Sequence, residues 1–310
     1  MIYTITLNPA LDHIIETNGF NIGETNYYQK DYEVVGGKGI NVSIILNNLN
    51  ADVMSIGLLG KDNMHPFMDV FNSMKVQNNF LHFEGKTRTN FKIKNLTAKQ
   101  ETEINGLGCP IDEKLLNDLK QYLKSNLKEG DIVIAAGSIP NGVSTSVYKE
   151  IGEICNDSKV IYILDTSKQQ MVEALESKPF LIKPNIEEIC EILKKPYKKY
   201  SFDEVFEMIK ELRKLGARNI LLSKGKDGSI YFQENGSIYQ AGIATGKLVN
   251  SVGSGDSMVA GFAYGLYKGL DIVNTLQYGA AAGGATAFTR WLASKNEIEN
   301  LVTTIKVTKK

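Results

Sequence analysis

The sequence predicts an α/β fold: a mostly parallel sheet with helices on both faces, plus a small β-sheet lid. Three observations carry this. Short, β-rich apolar runs alternate with longer amphipathic stretches along most of the 310 residues, as in a parallel sheet covered on both sides. The amphipathic stretches have helical spacing and recognisable helix starts. Two polar segments, roughly 9–35 and 87–106, interrupt the alternation with period-two patterning such as Phe91-Lys92-Ile93-Lys94.

Taken in order, Ile2 to Leu7 reads as the first strand, and Lys38 to Leu49 as a helix with Val42, Ile45, Leu46 and Leu49 on one face. Ile132 to Ala136, Val160 to Leu164, Phe180 to Ile182 and Asn219 to Ser223 read as buried strands. Ser201 with Glu204 three residues later is a capping-box start for a helix over about 203–215, with Val205, Ile209 and Leu212 at core spacing. Met258 to Gly269 reads as a late helix. The two polar segments suit a small antiparallel sheet with one solvent face, inserted as a lid over the carboxyl edge of the main sheet. The plainer alternative is a hairpin decoration without function. No repeat, low-complexity tract or Pro-rich linker divides the chain, so a single domain over 1–310 is expected.

Hydrophobic residues make up 43% and charged residues 23%, which excludes a disordered chain. Lys+Arg and Asp+Glu are both 35, so there is no global positive field of the kind a nucleic-acid binder uses. A local basic pocket for a small phosphorylated ligand stays open. Only four arginines occur, Arg88, Arg213, Arg218 and Arg290. Cys109, Cys155 and Cys190 form no C-x-x-C pair, which points to a reducing compartment without disulfides or structural zinc. The first residues lack a basic leader region and carry Asp12 where a signal peptide is apolar, and Ala280 to Phe288 is too short to span a bilayer. A soluble cytoplasmic protein is expected, with no membrane partner.

The strongest local signal is Val252-Gly253-Ser254-Gly255-Asp256-Ser257 before the late helix. Small residues there let first-turn amides converge on an anion, and the helix dipole adds partial positive charge. Asp256 is either a helix cap or a reacting carboxylate. Neither Gly60-Lys61-Asp62 nor Gly246-Lys247-Leu248 supplies the hydroxyl of a P-loop, and Met258 stands where a dinucleotide fingerprint needs glycine. No protein-kinase motif occurs, and His13, His65 and His82 lack metal-ligand spacing.

A second cluster, Gly36-Gly37-Lys38-Gly39-Ile40-Asn41, opens the first helix, with Lys38 and Asn41 one turn apart. Lysine offers a point charge for phosphate, and asparagine can donate to and accept from hydroxyls. Thr87-Arg88-Thr89-Asn90 puts an arginine fork in a lid strand. Lys183-Pro184-Asn185-Ile186-Glu187-Glu188 follows a buried strand; its acids either complement the helix dipole or organise magnesium-bound water. Leu222 to Gly228 ends another strand in a glycine turn, one wall of a nucleotide site.

Taken together, TLNPALD (6–12), GGKGINVS (36–43), TRTN (87–90), TEING (102–106), AGSIPNG (136–142), KPNIEE (183–188), SKGKDG (223–228) and VNSVGSGDS (249–257) resemble the ribokinase-like (PfkB) sugar kinases, in that family's order and over nearly the whole chain. The resemblance implies a ribokinase-like body, a β-sheet lid that commonly forms a homodimer contact, and the use of ATP with Mg²⁺. By position, Asp256 matches the family's catalytic base, and the amides of Gly253, Ser254, Gly255 and Asp256 match its anion hole. Asp12, Gly37, Lys38 and Asn41 match sugar-binding positions, with Arg88 and Asn90 completing the phosphate and hydroxyl contacts. Asn185 and Glu188 match the magnesium and phosphate motif, Glu188 acting through water. Ser223, Lys224, Gly225 and Gly228 match the ATP-binding strand end. The acceptor implied is the C6 hydroxyl of fructose 1-phosphate, with Lys38 and Arg88 gripping the existing phosphate. Tagatose 6-phosphate is the alternative substrate; the T-E-I-N-G run favours the former. Two other classes compete, a catalytically silent sugar-phosphate sensor and an NAD-linked dehydrogenase. The intact Gly-Ser-Gly-Asp and Asn-x-x-Glu argue against the first, and the missing dinucleotide fingerprint against the second.

Overall fold

The apolar runs become strands of one ten-stranded sheet. In the structure, a computed structural model that describes residues 1–310, the chain begins with β1 (Ile2–Thr6), β2 (Ala10–Thr17), β3 (Lys30–Gly36), α1 (Lys38–Asn48), β4 (Val53–Gly60), α2 (His65–Met74), β5 (Gln77–Phe83), β6 (Arg88–Asn95) and β7 (Gln100–Asn105). It continues through α3 (Glu113–Asn126), β8 (Ile132–Ala136), α4 (Val147–Asp157), β9 (Ile161–Asp165), α5 (Lys168–Ala174), β10 (Leu181–Ile182), α6 (Ile186–Leu193), α7 (Phe202–Leu215) and β11 (Asn219–Ser223). It ends with β12 (Ser229–Phe232), β13 (Ile238–Ala241), α8 (Ser254–Tyr267), α9 (Ile272–Ala287), α10 (Lys295–Val302) and β14 (Val307–Lys309).

The spatial order is β14-β13-β12-β11-β10-β9-β8-β1-β4-β5. Strands β5 to β11 in that order pair in parallel, and β12, β13 and β14 close one edge antiparallel. Ile2 of β1 is level with Val53 of β4 on one side and Ile132 of β8 on the other. The chain therefore winds outward from β1 in one direction, then returns and winds in the other. That reversal opens a crevice at the carboxyl ends of β1 and β8, the place where open α/β sheets bind ligands.

Each sheet face carries its own core. One gathers Leu119, Tyr148, Ile151, Ile189 and Leu212 from α3, α4, α6 and α7, and the other Val42, Ile45, Phe262, Ala281 and Ile298 from α1, α8, α9 and α10. The predicted capping box is present: Ser201 accepts from the Glu204 amide while Glu204 reaches back to the Ser201 amide. Helix α1 lies so close to β1 that a Cβ on Gly39 would stand 2.4 Å from Thr6 Oγ1 and 2.6 Å from the Ile5 carbonyl. Gly39 thus seats the helix against the sheet. No helix is long and apolar enough to cross a membrane.

The two polar segments form a separate four-stranded sheet, ordered β3-β2-β6-β7. The antiparallel sheet expected from sequence is a correction: β2–β3 and β6–β7 are antiparallel hairpins, but β2 and β6 pair in parallel from Ala10↔Arg88 to Thr17↔Asn95. Strand β2 leaves the carboxyl end of β1, and β6 leaves that of β5. Both run outward from the same edge of the body, so they can only lie side by side in the same direction. The period-two pattern is present with unexpected polarity. Asn90 and Lys92 are buried, whereas Phe91 and Ile104, level with each other across β6 and β7, are 42% and 56% exposed.

Candidate active site

The late helix begins four residues earlier than its apolar pattern suggested. Gly253 is its N-cap in a left-handed conformation, φ 79°, so Gly-Ser-Gly-Asp is the cap and first turn of α8. The Ser254 amide donates to the Ser251 carbonyl at 3.2 Å, while the amides of Gly253, Gly255 and Asp256 have no backbone acceptor. The hydroxyl of Ser254 is buried without a partner. These donors, at the positive end of a fourteen-residue helix, are what an anion needs. Of the four amides expected to line an anion hole, that of Ser254 is the one already engaged.

Asp256 does not cap its helix; its carboxylate turns to α1. Oδ2 accepts from Asn41 Nδ2 at 2.8 Å, and Oδ1 lies 3.5 Å from Lys38 Nζ. Lys38 in turn reaches Asp165 Oδ2 at 3.0 Å, and Lys183 Nζ lies 3.3 Å from Asp165 Oδ1. Asp165 ends β9 and is 1% exposed. Burial opposes its ionisation, but the ammonium groups of Lys183 and Lys38 outweigh this and hold the carboxyl below its usual range. The Asp165 charge, with a smaller contribution from Asp256, holds the Lys38 ammonium well above its usual range against the cost of its own burial. A Cβ on Gly255 would stand 3.5 Å from Lys183 Nζ, so that ammonium lies beside the amide turn. The Lys38 ammonium is thus shared between two carboxylates, one on β9 and one on α8.

Asp165 and Lys183 belong to this constellation without having been assigned to it from sequence. Lys183 lies inside a motif that drew attention to Asn185 and Glu188. Asp165, at the end of an apolar strand and just before Thr-Ser, looks like any residue leading into a turn.

Asp12, on β2, accepts from Asn90 Nδ2 at 2.9 Å and pairs with Lys92 Nζ at 2.9 Å. It also leans on the end of β3, where a Cβ on Gly36 would be 3.2 Å from Asp12 Oδ2. Two residues on, Lys38 reaches Asp256, so Asp12 on β2 and the carboxylate on α8 are linked through Gly37, whose φ is 135°. Arg88 has no acidic partner. Its guanidinium donates to the carbonyls of Pro9 at 3.3 Å and Asn8 at 3.2 Å, and burial lowers its pKa, partly offset by Asp12. Among the cleft cations Lys38, Lys92, Lys183 and Arg88, only this arginine lacks a carboxylate.

Asn185 and Glu188 form a capping box at α6: Glu188 Oε2 accepts from the Asn185 amide and Asn185 Oδ1 from the Glu188 amide, both at 2.8 Å. Asn185 also bridges to Ser223, which joins the two expected nucleotide segments. The turn after β11 is closed by the Lys224 amide donating to Gly228, with Gly225 and Gly228 left-handed at φ 54° and 81°. A Cβ on Gly228 would come within 2.3 Å of the Ala241 carbonyl. No group of three or more His, Cys, Asp or Glu side chains converges as a metal cage. Glu188 keeps one carboxylate oxygen unused. A single free carboxylate fits Mg²⁺, which retains waters and is held chiefly by substrate phosphates.

A sequence profile of the pfkB family carbohydrate kinases matches residues 5–298. The chain belongs to the PfkB family. It is 37% identical to 1-phosphofructokinase of Bacillus subtilis over 311 residues, covering all of both chains. It is 34% identical to tagatose-6-phosphate kinase of Staphylococcus epidermidis, covering 86% of this chain and 85% of that one. The crystal structure of Arabidopsis thaliana ribokinase, complexed with ribose and ATP, superposes with a TM-score of 0.81 at 19% identity, over 97% and 98% of the two chains. The fold of this PfkB chain is accordingly ribokinase-like.

The Asp165 network makes a prediction about stability. Asp165→Asn leaves Lys183 without its carboxylate and Lys38 with Asp256 alone, and should lower unfolding free energy by roughly 3 kcal/mol in urea titrations. Because the Asp165 carboxyl titrates below the usual range, its contribution is present at neutral pH and is lost as pH falls through that lowered value. The gap between wild type and variant should hold from pH 7 to about 5 and close in stronger acid. A gap already closing at pH 6 would contradict the network.

Proposed function

We propose that the chain transfers the γ-phosphoryl group of ATP to the C6 hydroxyl of fructose 1-phosphate, forming fructose 1,6-bisphosphate. PfkB membership over nearly the whole chain and the 37% identity to a 1-phosphofructokinase support this reading. The observation that carries it is the Asp256 carboxylate, fastened by Asn41 and Lys38 beside amides with no acceptor.

Phosphoryl transfer needs an aligned hydroxyl, charge stabilisation on the moving group and exclusion of water. Asp256 accepts the proton of the C6 hydroxyl as its oxygen attacks phosphorus. Asn41 and Lys38 fix the direction of that carboxylate, so its lone pair is aimed before the substrate arrives. The amides of Gly253, Gly255 and Asp256, with the neighbouring Lys183 ammonium, hold the migrating phosphoryl oxygens. Asp12 and Asn90 orient the sugar hydroxyls, and Arg88, free of any carboxylate, grips the phosphate already on C1. Ser223, Lys224, Gly225 and Gly228 form the nucleotide wall. Mg²⁺, when bound with ATP, neutralises charge on its phosphates, and the free oxygen of Glu188 is the group that would hold it through water. The second sheet serves as the lid over this cleft, and its exposed Phe91 and Ile104 make its outer face the contact of a homodimer. With ATP and a sugar phosphate as substrates, the enzyme works in the cytoplasm.

Asp256→Asn should fold as wild type and lose about a hundredfold or more in kcat; a fully active variant would remove the carboxylate from the reaction. Arg88→Ala should raise KM for the sugar phosphate about tenfold or more while leaving KM for ATP near its wild-type value, so an unmoved sugar-phosphate KM would refute the phosphate role. The 34% identity to a tagatose-6-phosphate kinase keeps tagatose 6-phosphate as the second reading. Kinetics with both sugars side by side decide it, with the higher kcat/KM expected for fructose 1-phosphate. Sedimentation should give a dimer for the wild type and a monomer for Phe91→Asp combined with Ile104→Asp; a monomeric wild type defeats the lid contact.

A further inference from the structure

Lys92 stands in the middle of β6 with a side chain only 11% exposed. A buried ammonium is costly without a partner, so a lysine there calls for a cause. Its Nζ lies 2.9 Å from Asp12 Oδ2 and 3.7 Å from Glu103 Oε1, the residue level with it on β7. Asp12 is level with Asn90 on the neighbouring strand, and the same face of the sheet carries Asp12, Asn90, Lys92 and Glu103. Burial works against the charge of Lys92, but Asp12 first and Glu103 second outweigh it and keep the ammonium protonated. Asn90, which is 7% exposed, gives its amide to Asp12 while its own Oδ1 is buried with no partner. The row therefore holds an unused acceptor next to a carboxylate already paired with an ammonium.

That pairing has a direct bearing on the substrate class. A carboxylate that binds sugar hydroxyls is favourable toward a neutral sugar. Toward a sugar bearing a phosphate dianion it is repulsive, by on the order of tenfold in affinity at cleft distances. Asp12 is near enough to Arg88 to influence its titration, so a phosphate on that arginine would feel the Asp12 charge. We infer that Lys92 is a specificity-determining positioning residue that neutralises and fixes Asp12, so that the hydroxyl-binding site tolerates a sugar already phosphorylated, with Glu103 holding Lys92 from the next strand. The inference deepens the proposed function and rests on it.

A double-mutant cycle on the full chain tests this, with fructose 1-phosphate binding measured by calorimetry without nucleotide and kcat and KM measured with ATP. Lys92→Met should weaken fructose 1-phosphate binding and raise its KM by about tenfold, with KM for ATP unmoved and kcat at saturating sugar phosphate falling far less. In the Asp12→Asn background, where the half-exposed Glu103 is the one carboxylate left beside Lys92, the same Lys92→Met change should cost less than about twofold. Lys92→Arg should keep the affinity. Equal costs of Lys92→Met in both backgrounds would overturn the inference, as would an unchanged affinity or a parallel loss in ATP KM. Should Lys92→Met alone fail to fold, the pair lacking both Asp12 and Lys92 charges decides: Asp12→Asn/Lys92→Met binding as well as Asp12→Asn supports the inference, and binding tenfold weaker ends it. A wild type that neither binds nor phosphorylates fructose 1-phosphate would remove the functional reading together with this one, whereas an active wild type with an indifferent Lys92→Met removes only this one.

Discussion

The site depends on one buried carboxylate. Asp165 sits at the carboxyl end of β9 with almost no contact with water, and an ion in that position is stable only while its lysines stay. Lys38 comes from the first turn of α1 and Lys183 from the residue after β10, so the clamp ties two distant parts of the chain to the rim of the central crevice. Through Lys38 the tie reaches Asp256, and through Lys183 it reaches the amide turn beside Gly255. The Asp256 carboxylate and the acceptor-free amide turn thus share one electrostatic anchor. Lysine carries this arrangement well, because a single flexible ammonium can bridge two carboxylates that approach from different elements.

The second sheet shows how alternation alone can mislead. A strand reading Phe-Lys-Ile-Lys suggests apolar residues inward and lysines in water. Here the inward face is the polar one, because Asp12, Asn90, Lys92 and Glu103 partner one another there in place of a hydrocarbon core. Lys92 is tolerated inside because Asp12 and Glu103 flank it. Phe91 and Ile104 are left outside, with the His13 ring 5.7 Å from that of Phe91. The same period-two rule holds; only the identity of the solvent has changed.

Much of this architecture was legible in the sequence, and the reasons are local. The strands of the main sheet are continuous apolar runs, and α7 announces itself through Ser201 and Glu204. The Gly-Ser-Gly-Asp turn is a helix start whose residue types leave little other use for it. What escaped reading depends on contacts between segments far apart in the chain. The parallel pairing of β2 with β6 follows from where β1 and β5 end, which no local pattern records. Asp165 becomes significant only when Lys38 and Lys183 converge on it from more than a hundred residues and from eighteen residues away. Asn185 and Glu188 were visible as a motif, yet their mutual capping box, which leaves one glutamate oxygen unused, is a fact of geometry.

The mixed pairing of the small sheet has a mechanical consequence. Its two inner strands are rooted in β1 and β5, which are separated in the main sheet only by β4. Backbone bonds along the whole β2–β6 seam join those roots, and β3, which enters α1 through the single residue Gly37, adds a third short tether. A sheet tethered this way resists twisting about any one root, so Asp12, Asn90 and Lys92, bonded to one another across its inner strands, travel together as a preassembled tooth.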